Sequence, residues 1–352
     1  MMKGFFSGIV IVCLVLAQGA GMAAPTAVDK ELAKAQLALS AGNYDDAYKQ
    51  YQHIYKTSQH PLAAFSLGMF YRSGWGRPAD PVEACRWFDH AAQGKLPTAE
   101  YFLGDCLLAG VHQAADPAKA AYWYEQAARG GNGIALCSLA ALYVAGNGVD
   151  KDPQKGQALC RGVAEQGSTP AMIQMGWLLL GGRNATADAS NDPVRDPAAA
   201  YTWFERAAQN RSAEAQYQLG VMSRDGLGHD ADPALARHWF EAAAVQGYVA
   251  ADYPTARLYF DEPPDPATGN PSAETLAKSY LWLTVTSHCS KDPTELKQSG
   301  DMLEQVRQIM PATWVPSLNE KLSGHLCEQS ASCGAGTAAA VSCPAASHGA
   351  NS

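Results

Sequence analysis

The stretch AEYFLGDCLLAG at residues 99–110, followed by DPAKAAYWYEQAARG at 116–130, decides the fold of this protein. In the first stretch, Ala99, Leu103 and Leu107 recur every four residues and so form one apolar face of a helix. Its last glycine can end that helix, because glycine adopts a positive φ without a steric penalty. The Asp-Pro pair of the second stretch begins another helix, since aspartate caps free N–H groups and proline fits the first turn. The two stretches therefore predict a helix–turn–helix unit.

The landmarks of this unit recur along the chain at a fixed spacing. Those of the first helix are Leu67-Gly68, Leu103-Gly104, Leu139-Ala140, Met175-Gly176 and Leu219-Gly220. The Asp-Pro pairs of the second helix begin at Asp80, Asp116, Asp152, Asp196 and Asp232. Both series step by 36 residues, except for one step of 44 that contains the polar stretch GGRNATADASNDPVRD. One such unit is too small to bury its own apolar face, so the period predicts a stacked array of helix pairs.

With segments such as SLGMFYRSGWGRPADPVEACRWFDHAAQG and ALYVAGNGVDKDPQKG, the chain resembles the Sel-one-like repeat family, a branch of the tetratricopeptide superfamily. The resemblance covers about 64–247 in five units. It implies an all-α fold, in which antiparallel helix pairs form a right-handed superhelical solenoid. The stretch at 27–61 looks like a tetratricopeptide hairpin, and the stretch at 249–291 looks like a sixth unit with a longer, proline-rich loop.

The first residues predict export. A lysine, an apolar run at 8–17 and small residues up to Ala23 are typical of a secretory signal peptide, with cleavage after Ala23. The apolar run is too short to cross a bilayer, which needs about 20 residues, although a retained membrane anchor is the alternative interpretation. We therefore expect a periplasmic or secreted protein without a transmembrane segment after cleavage.

These patterns together predict the organisation of the whole chain. The segments are a signal peptide at 1–23, a hairpin at 27–61, repeats at 62–97, 98–133, 134–169, 170–213, 214–248 and 249–291 (together 62–291), capping helices at 292–328, and a disordered tail at 329–352.

An even number of cysteines remains after the signal peptide, and in an oxidising compartment this favours disulfides. In the third repeat, Cys137 and Cys160 replace aromatic residues of the other units. They are about equally distant from the turn between their helices, so antiparallel helices would place them level. We predict a disulfide between them, and two buried free thiols are the alternative.

Two further disulfides are candidates. Eight cysteines allow 105 pairings, so the sequence leaves the connectivity open. Cys85 and Cys106 lie level about the turn between the first two repeats, and Cys289 with Cys327 would fasten the cap. Cys333 and Cys343 remain as the last pair. Cys289 and Cys327 with their neighbouring histidines, His288 and His325, could also suggest a metal site. Adjacent residues on a helix point about 100° apart, so we expect neither a metal nor a cofactor.

The sequence offers little support for catalysis. It contains no G-x-S-x-G motif and no S-x-x-K followed by K-T-G. The net charge of −8 and the pI near 5.6 argue against nucleic acid, which requires clustered basic residues. The first helices instead carry side chains that differ between units, as recognition residues would. These concave-face candidates are Arg72, Phe102, Gln174, Trp177, Gln218 and Arg224. Packing against neighbouring units is the alternative for the aromatic ones.

The resemblance implies a non-catalytic, exported scaffold or adaptor, because members of the family mostly assemble protein complexes. It would bind another protein or an extended peptide through its concave surface, in the bacterial cell envelope. The alternative is a cell-wall-related enzyme or a penicillin-binding or β-lactamase-like activity, as in disulfide-rich relatives, and a further possibility is inhibition of a cell-wall enzyme. The sequence does not indicate an oligomeric state.

Overall fold

The computed structural model describes residues 26–182 and 195–322, which are helices joined by turns and loops, with no β-strand in these two ranges. The predicted signal peptide, the polar insertion at 183–194 and the predicted tail lie outside the described residues. The chain divides into two units, whose described parts are 26–182 with Arg195, and 196–322.

Helices account for most of both units. The first unit contains α1 (Ala27–Ser40), α2 (Tyr44–Ser58), α3 (Pro61–Ser73), α4 (Pro81–Gln93), α5 (Pro97–Ala109), α6 (Pro117–Arg129), α7 (Gly133–Ala145), α8 (Pro153–Glu165) and α9 (Thr169–Leu180). The second unit contains α10 (Pro197–Gln209), α11 (Ala213–Asp225), α12 (Pro233–Val245), α13 (Asp252–Phe260), α14 (Ala273–Cys289), α15 (Pro293–Ile309) and further helical residues at 315–322.

Within each unit, consecutive helices pack against each other as antiparallel pairs. A Cβ atom added to Gly94, just after α4, would lie 2.5 Å from the ring of Pro61 at the start of α3. In the second unit, Gln246 after α12 donates a hydrogen bond to Gln216 near the start of α11. In both pairs the end of the second helix therefore lies beside the start of the first. The structure confirms the predicted all-α solenoid of antiparallel helix pairs within each unit.

The aspartates of the Asp-Pro pairs cap the second helices, as the sequence predicts. Asp116 Oδ1 accepts a hydrogen bond from the Lys119 backbone N–H at 3.0 Å, and Asp232 Oδ1 accepts one from the Leu235 N–H at 3.0 Å. The hydrogen bond from the Lys119 N–H is the main reason that the pKa of Asp116 lies below its usual range. These local contacts explain why the sequence alone locates the starts of the helices.

The glycine of the Leu-Gly pair makes room for an aromatic ring of the second helix. A Cβ atom on Gly104 would lie 2.5 Å from the ring of Tyr124, which is far closer than packed carbon atoms approach. The same arrangement joins Gly68 to Phe88 and Gly220 to Phe240. The third repeat has Ala140 instead of this glycine and Cys160 instead of the ring. The two substitutions therefore compensate each other.

The turn after α7 packs closely against the start of α6. Gly148 has a φ of 74°, and a Cβ atom there would lie 2.4 Å from the carbonyl carbon of Pro117. Gly148→Ala should lower the free energy of unfolding by about 2 kcal/mol, because alanine adds left-handed backbone strain and pushes two repeats apart. Chemical denaturation measures the loss. Gly131→Ala is the control, since Gly131 has a φ of 94° but no atom within 4 Å, and an equal loss there would exclude the clash as the cause.

The last helices of the second unit share one apolar core. Phe240 of α12, Tyr280 of α14 and Val306 of α15 belong to the same buried cluster as Leu318 and Leu322. The predicted sixth repeat contains α13 and α14, and the described part of the predicted cap contains α15 and 315–322. None of the helices in the described ranges is long and apolar enough to cross a membrane.

Candidate functional site

Two disulfides join helices of the first unit. Cys137 of α7 is bonded to Cys160 of α8, with their Cα atoms 4.3 Å apart, and both residues are buried. Cys85 of α4 is bonded to Cys106 of α5, with their Cα atoms 5.8 Å apart. One disulfide therefore fastens the two helices of a single repeat, and the other fastens two consecutive repeats, as predicted.

The third predicted disulfide falls only partly within the described residues. Cys289 is buried and disulfide-bonded, but its predicted partner Cys327 lies outside them, as do His325, Cys333 and Cys343. Within 26–182 and 195–322, no three His, Cys, Asp or Glu side chains are grouped so that they could hold a metal ion.

The first helices of the repeats in the first unit (α3, α5, α7 and α9) each keep one row of side chains out of the core. The row follows the spacing i, i+4, i+7 and i+11, which is a single side of a helix. This first-helix face consists of Leu62, Ser66, Met69, Ser73, Thr98, Phe102, Asp105, Ala109, Ile134, Ser138, Ala141, Ala145, Pro170, Gln174 and Trp177. All of them except Ser66 are partly or fully exposed.

Neighbouring first helices touch along this face. The ring of Phe102 in α5 stacks on the ring of Phe65 in α3, with their centroids 5.7 Å apart. Leu103 of α5 and Leu139 of α7 belong to one buried apolar cluster. Helices α7 and α9 also pack directly against each other. The exposed rows of the four helices therefore form one continuous surface.

An arginine and a group of phenylalanines mark the α3 edge of the first-helix face. The guanidinium carbon of Arg72 lies 4.3 Å from the centroid of the Phe102 ring, which is the geometry of a cation–π contact. The Phe102 ring in turn stacks on Phe88 at 5.0 Å. The Cys85–Cys106 disulfide belongs to the same cluster, so covalent and aromatic contacts hold Phe102 in place beneath the arginine.

Asp105 is the single ionisable residue of the first-helix face as defined above. Its Oδ1 atom accepts a hydrogen bond from the Tyr124 hydroxyl at 2.7 Å. Burial raises the pKa of Asp105, although the Tyr124 hydrogen bond and the charge of Arg72 oppose the rise. Burial, followed by the negative charge of Asp105, raises the pKa of Tyr124 as well. The phenol therefore stays a neutral donor, and its hydrogen bond holds the carboxylate in place.

The pattern of the Sel1 repeat matches the chain at 61–95, 97–132, 133–168, 169–212 and 213–248, which together exceed half of its length. The chain belongs to the Sel1 repeat family. Each match spans two successive helices, from α3–α4 to α11–α12. Sel1 repeat proteins are typically scaffolds for protein–protein interaction and are generally not enzymes.

Two solved structures have a similar fold. One is c5321, a protective antigen of uropathogenic Escherichia coli with an SLR fold, at a TM-score of 0.57 and 21% identity. That similarity covers 92% of this chain but 65% of the antigen, so this chain spans less than two thirds of the antigen's length. The other is a Sel1 repeat protein of Oxalobacter formigenes, at a TM-score of 0.51 and 22% identity over 75% of this chain and 99% of that one. No curated protein is significantly similar to the chain.

The predicted binding residues of this Sel1 repeat protein have different surroundings. Arg72 and Arg224 are exposed, whereas Phe102, Gln174 and Trp177 are half-buried. Gln218 was expected to be exposed, but it is only 9% exposed. The expected exposure of Gln218 is not found, although Asp225 in the same row of α11 is exposed.

The two predicted arginines occupy equivalent positions in their repeats but differ in their ionic contacts. Arg224 donates to Asp225, its neighbour in α11, with Nε and Oδ1 2.7 Å apart. Among the residues that the structure describes, no carboxylate forms an ion pair with Arg72. Arg72 therefore keeps its charge available to a ligand, whereas Arg224 already has a partner.

The sequence analysis missed a buried carboxyl group in the second unit. Asp252 is the first residue of α13 and is 1% exposed, and neither of its oxygens has a hydrogen-bond partner in the described structure. The buried hydroxyl of Ser299 in α15 has no partner there either. Burial, followed by the charge of Glu295, raises the pKa of Asp252 to about 8. In the sequence this aspartate resembles an ordinary helix-starting residue, so nothing in the sequence indicates its burial.

Proposed function

We propose that this Sel1 repeat protein is an exported, non-catalytic scaffold that binds another protein or an extended peptide along its first-helix face, in the bacterial cell envelope. The continuous, partly exposed row of side chains on α3, α5, α7 and α9 carries this proposal. Interaction surfaces draw most of their affinity from a few large side chains in well-packed surroundings. Phe102 and Trp177 have that character, and Arg72 lies directly over the Phe102 ring.

The disulfides support export. Cys85–Cys106 and Cys137–Cys160 join helices in the interior of the first unit, where they stabilise the array that presents the face. Disulfides form and persist in oxidising compartments, and in the cytosol they are usually transient. The predicted signal peptide at 1–23 supports the same compartment.

The chemistry of the face favours binding over catalysis. Its one ionisable side chain, Asp105, accepts a hydrogen bond from Tyr124 and lies beside no activated nucleophile of the face. Nucleophilic catalysis requires a nucleophile within hydrogen-bonding distance of a base. No observation favours the alternative of a cell-wall enzyme.

Site-specific photo-crosslinking tests the proposal. A benzophenone side chain replaces Ala141, which is exposed in the middle of the face on α7, or Tyr122, which is 55% exposed on the second helix α6. We expect the benzophenone at position 141 to crosslink predominantly to one protein. The benzophenone at position 122 should not crosslink to that protein. With that partner purified, Ala141→Arg should weaken binding at least about tenfold, because it places a bulky charge in the interface, whereas Tyr122→Arg should leave binding unchanged. Equal adducts at both positions, or equal affinities of the two arginine variants, would contradict the proposal.

A further inference from the structure

Charge is distributed very unevenly between the two helices of each repeat in the first unit. The first helices α7 and α9 have no charged residue, α3 has only Arg72, and α5 has only Glu100 and Asp105. Glu100 is 6% exposed and so does not face solvent. The second helices carry charges of both signs, namely Glu83, Arg86, Asp89, Lys119, Glu125, Arg129, Lys155, Arg161 and Glu165. Of the twelve charged residues within the helices from α3 to α9, nine therefore lie on the second helices.

The first-helix face nevertheless contacts solvent. Met69, Ile134 and Trp177 are half-buried, and Leu62 is 39% exposed. A protein surface that contacts only solvent usually carries charges of both signs and few large apolar side chains. A continuous row of partly exposed apolar side chains is instead a sign of an interaction site.

The composition of the face restricts what can cover it. A charged side chain pressed against Ile134, Ala141 or Trp177 would lose its hydration and find no charged partner on α7 or α9. Exposed alanines at 141 and 145 leave space on α7 into which a partner's apolar side chains fit. The main part of the face therefore selects against a strongly acidic or strongly basic segment.

The α3 edge of the face differs, because Arg72 is exposed there without an ion-pair partner among the described residues. The nearest acid of the face, Asp105, is within range of its charge but accepts its hydrogen bond from Tyr124 instead. The contact with the Phe102 ring restricts the guanidinium, so less conformational entropy is lost when it binds a carboxylate. A guanidinium held in this way is complementary to one carboxylate.

We infer that the partner segment of the first-helix face is an otherwise uncharged, mainly apolar peptide that carries a single carboxylate, with the carboxylate bound by Arg72 and the apolar side chains lying along the face toward Trp177. The inference rests on the proposed function, because it specifies the chemistry of the partner at the same surface. It concerns the first unit alone. In α11 of the second unit, the equivalent row contains Glu214 and Asp225 and is thus charged.

Synthetic peptides test the inference on the full chain by isothermal titration calorimetry. The probes are capped twelve-residue peptides of alanine, leucine, phenylalanine and serine that carry one aspartate near either end. Matched peptides carry asparagine or lysine instead, and two control peptides carry six aspartates or six lysines. We expect the single-aspartate peptide to bind about fivefold more tightly than its asparagine counterpart, as one ion pair contributes, and the lysine peptide to bind more weakly still. Arg72→Gln should abolish the preference for the aspartate peptide over the asparagine peptide.

Three outcomes would overturn the inference: equal affinities for the aspartate, asparagine and lysine peptides, a preference for aspartate that survives Arg72→Gln, or tighter binding of either six-charge peptide. If no peptide binds while a benzophenone at Ala141 still captures its partner, the inference about chemistry fails and the proposed function stands. If neither binding nor capture occurs, both fail. Thermal unfolding of Arg72→Gln checks that the variant is folded, which is expected because Arg72 is exposed.

Discussion

Replacing both Cys137 and Cys160 with alanine should lower the free energy of unfolding of the oxidised protein by about 3 kcal/mol. The disulfide links residues that are 23 positions apart, so it removes the entropy of closing that loop from the unfolded chain. The pair also replaces the aromatic contact that other repeats form at these positions, such as Tyr101 against Tyr124, with centroids 5.9 Å apart. In the double alanine variant, the third repeat therefore lacks the disulfide and also lacks the aromatic contact that stabilises the other repeats.

Urea denaturation of the wild type and the double alanine variant measures this loss. The same comparison in the presence of a thiol reductant is the control, because the wild type then lacks the bond as well. With reductant present, the difference in the free energy of unfolding between the two proteins should fall to less than about 1 kcal/mol, which is the residual effect of two small side chains. A gap that is equally large with and without reductant would show that packing, and not the disulfide, stabilises the third repeat.

Replacing Asp252 with asparagine should stabilise the protein at alkaline pH by about 3 kcal/mol. The pKa of Asp252 in the folded protein is about 8, above its ordinary value of 3.8, because burial and the charge of Glu295 disfavour the carboxylate. A group with a raised folded-state pKa contributes stability that is complete below its unfolded-state pKa and is lost as the pH rises through its folded-state pKa. The wild type should therefore lose stability between pH 4 and pH 8, and the asparagine variant should lose less.

Thermal or urea unfolding of both proteins from pH 4 to pH 9 checks this expectation. The stabilities of the wild type and of Asp252→Asn should be nearly equal near pH 4, and their difference should grow progressively up to about pH 8. Asp301→Asn is the matched control, because Asp301 is an exposed acid of α15, and its substitution should change stability by less than about 0.5 kcal/mol at any pH. If Asp252→Asn is no more stable than the wild type at pH 9, the carboxyl of Asp252 is not buried without a hydrogen-bond partner as the structure shows.

Much of the array could be predicted from sequence because its determinants are local. The 36-residue period, the Asp-Pro caps and the Leu-Gly pairs each act within one helix or one hairpin. The Cys137–Cys160 disulfide could be predicted for the same reason, because its two cysteines lie level about a single turn. Even the change from glycine to Ala140 is consistent with the loss of the ring at Cys160, since both concern one helix pair.

The candidate site could be predicted only in part. Arg72 and Phe102 were identified because they vary between repeats, and the structure brings them together with 4.3 Å between guanidinium and ring. Gln218 varies in the same way, yet it is buried. Variation between repeats shows that a position is not constrained by the helix itself, and it does not show whether a neighbouring helix covers it.

The sequence by itself therefore determined the repeat and the ends of the helices, and it indicated the Cys137–Cys160 disulfide, because these follow from backbone hydrogen bonding and from contacts within about one repeat. The tertiary structure decided which side chains of the first helices remain exposed, and it placed Asp252 in the interior without a hydrogen-bond partner. Exposure depends on helices that lie one or more repeats away in the chain. It is set by how closely those helices pack, and no single repeat contains that information.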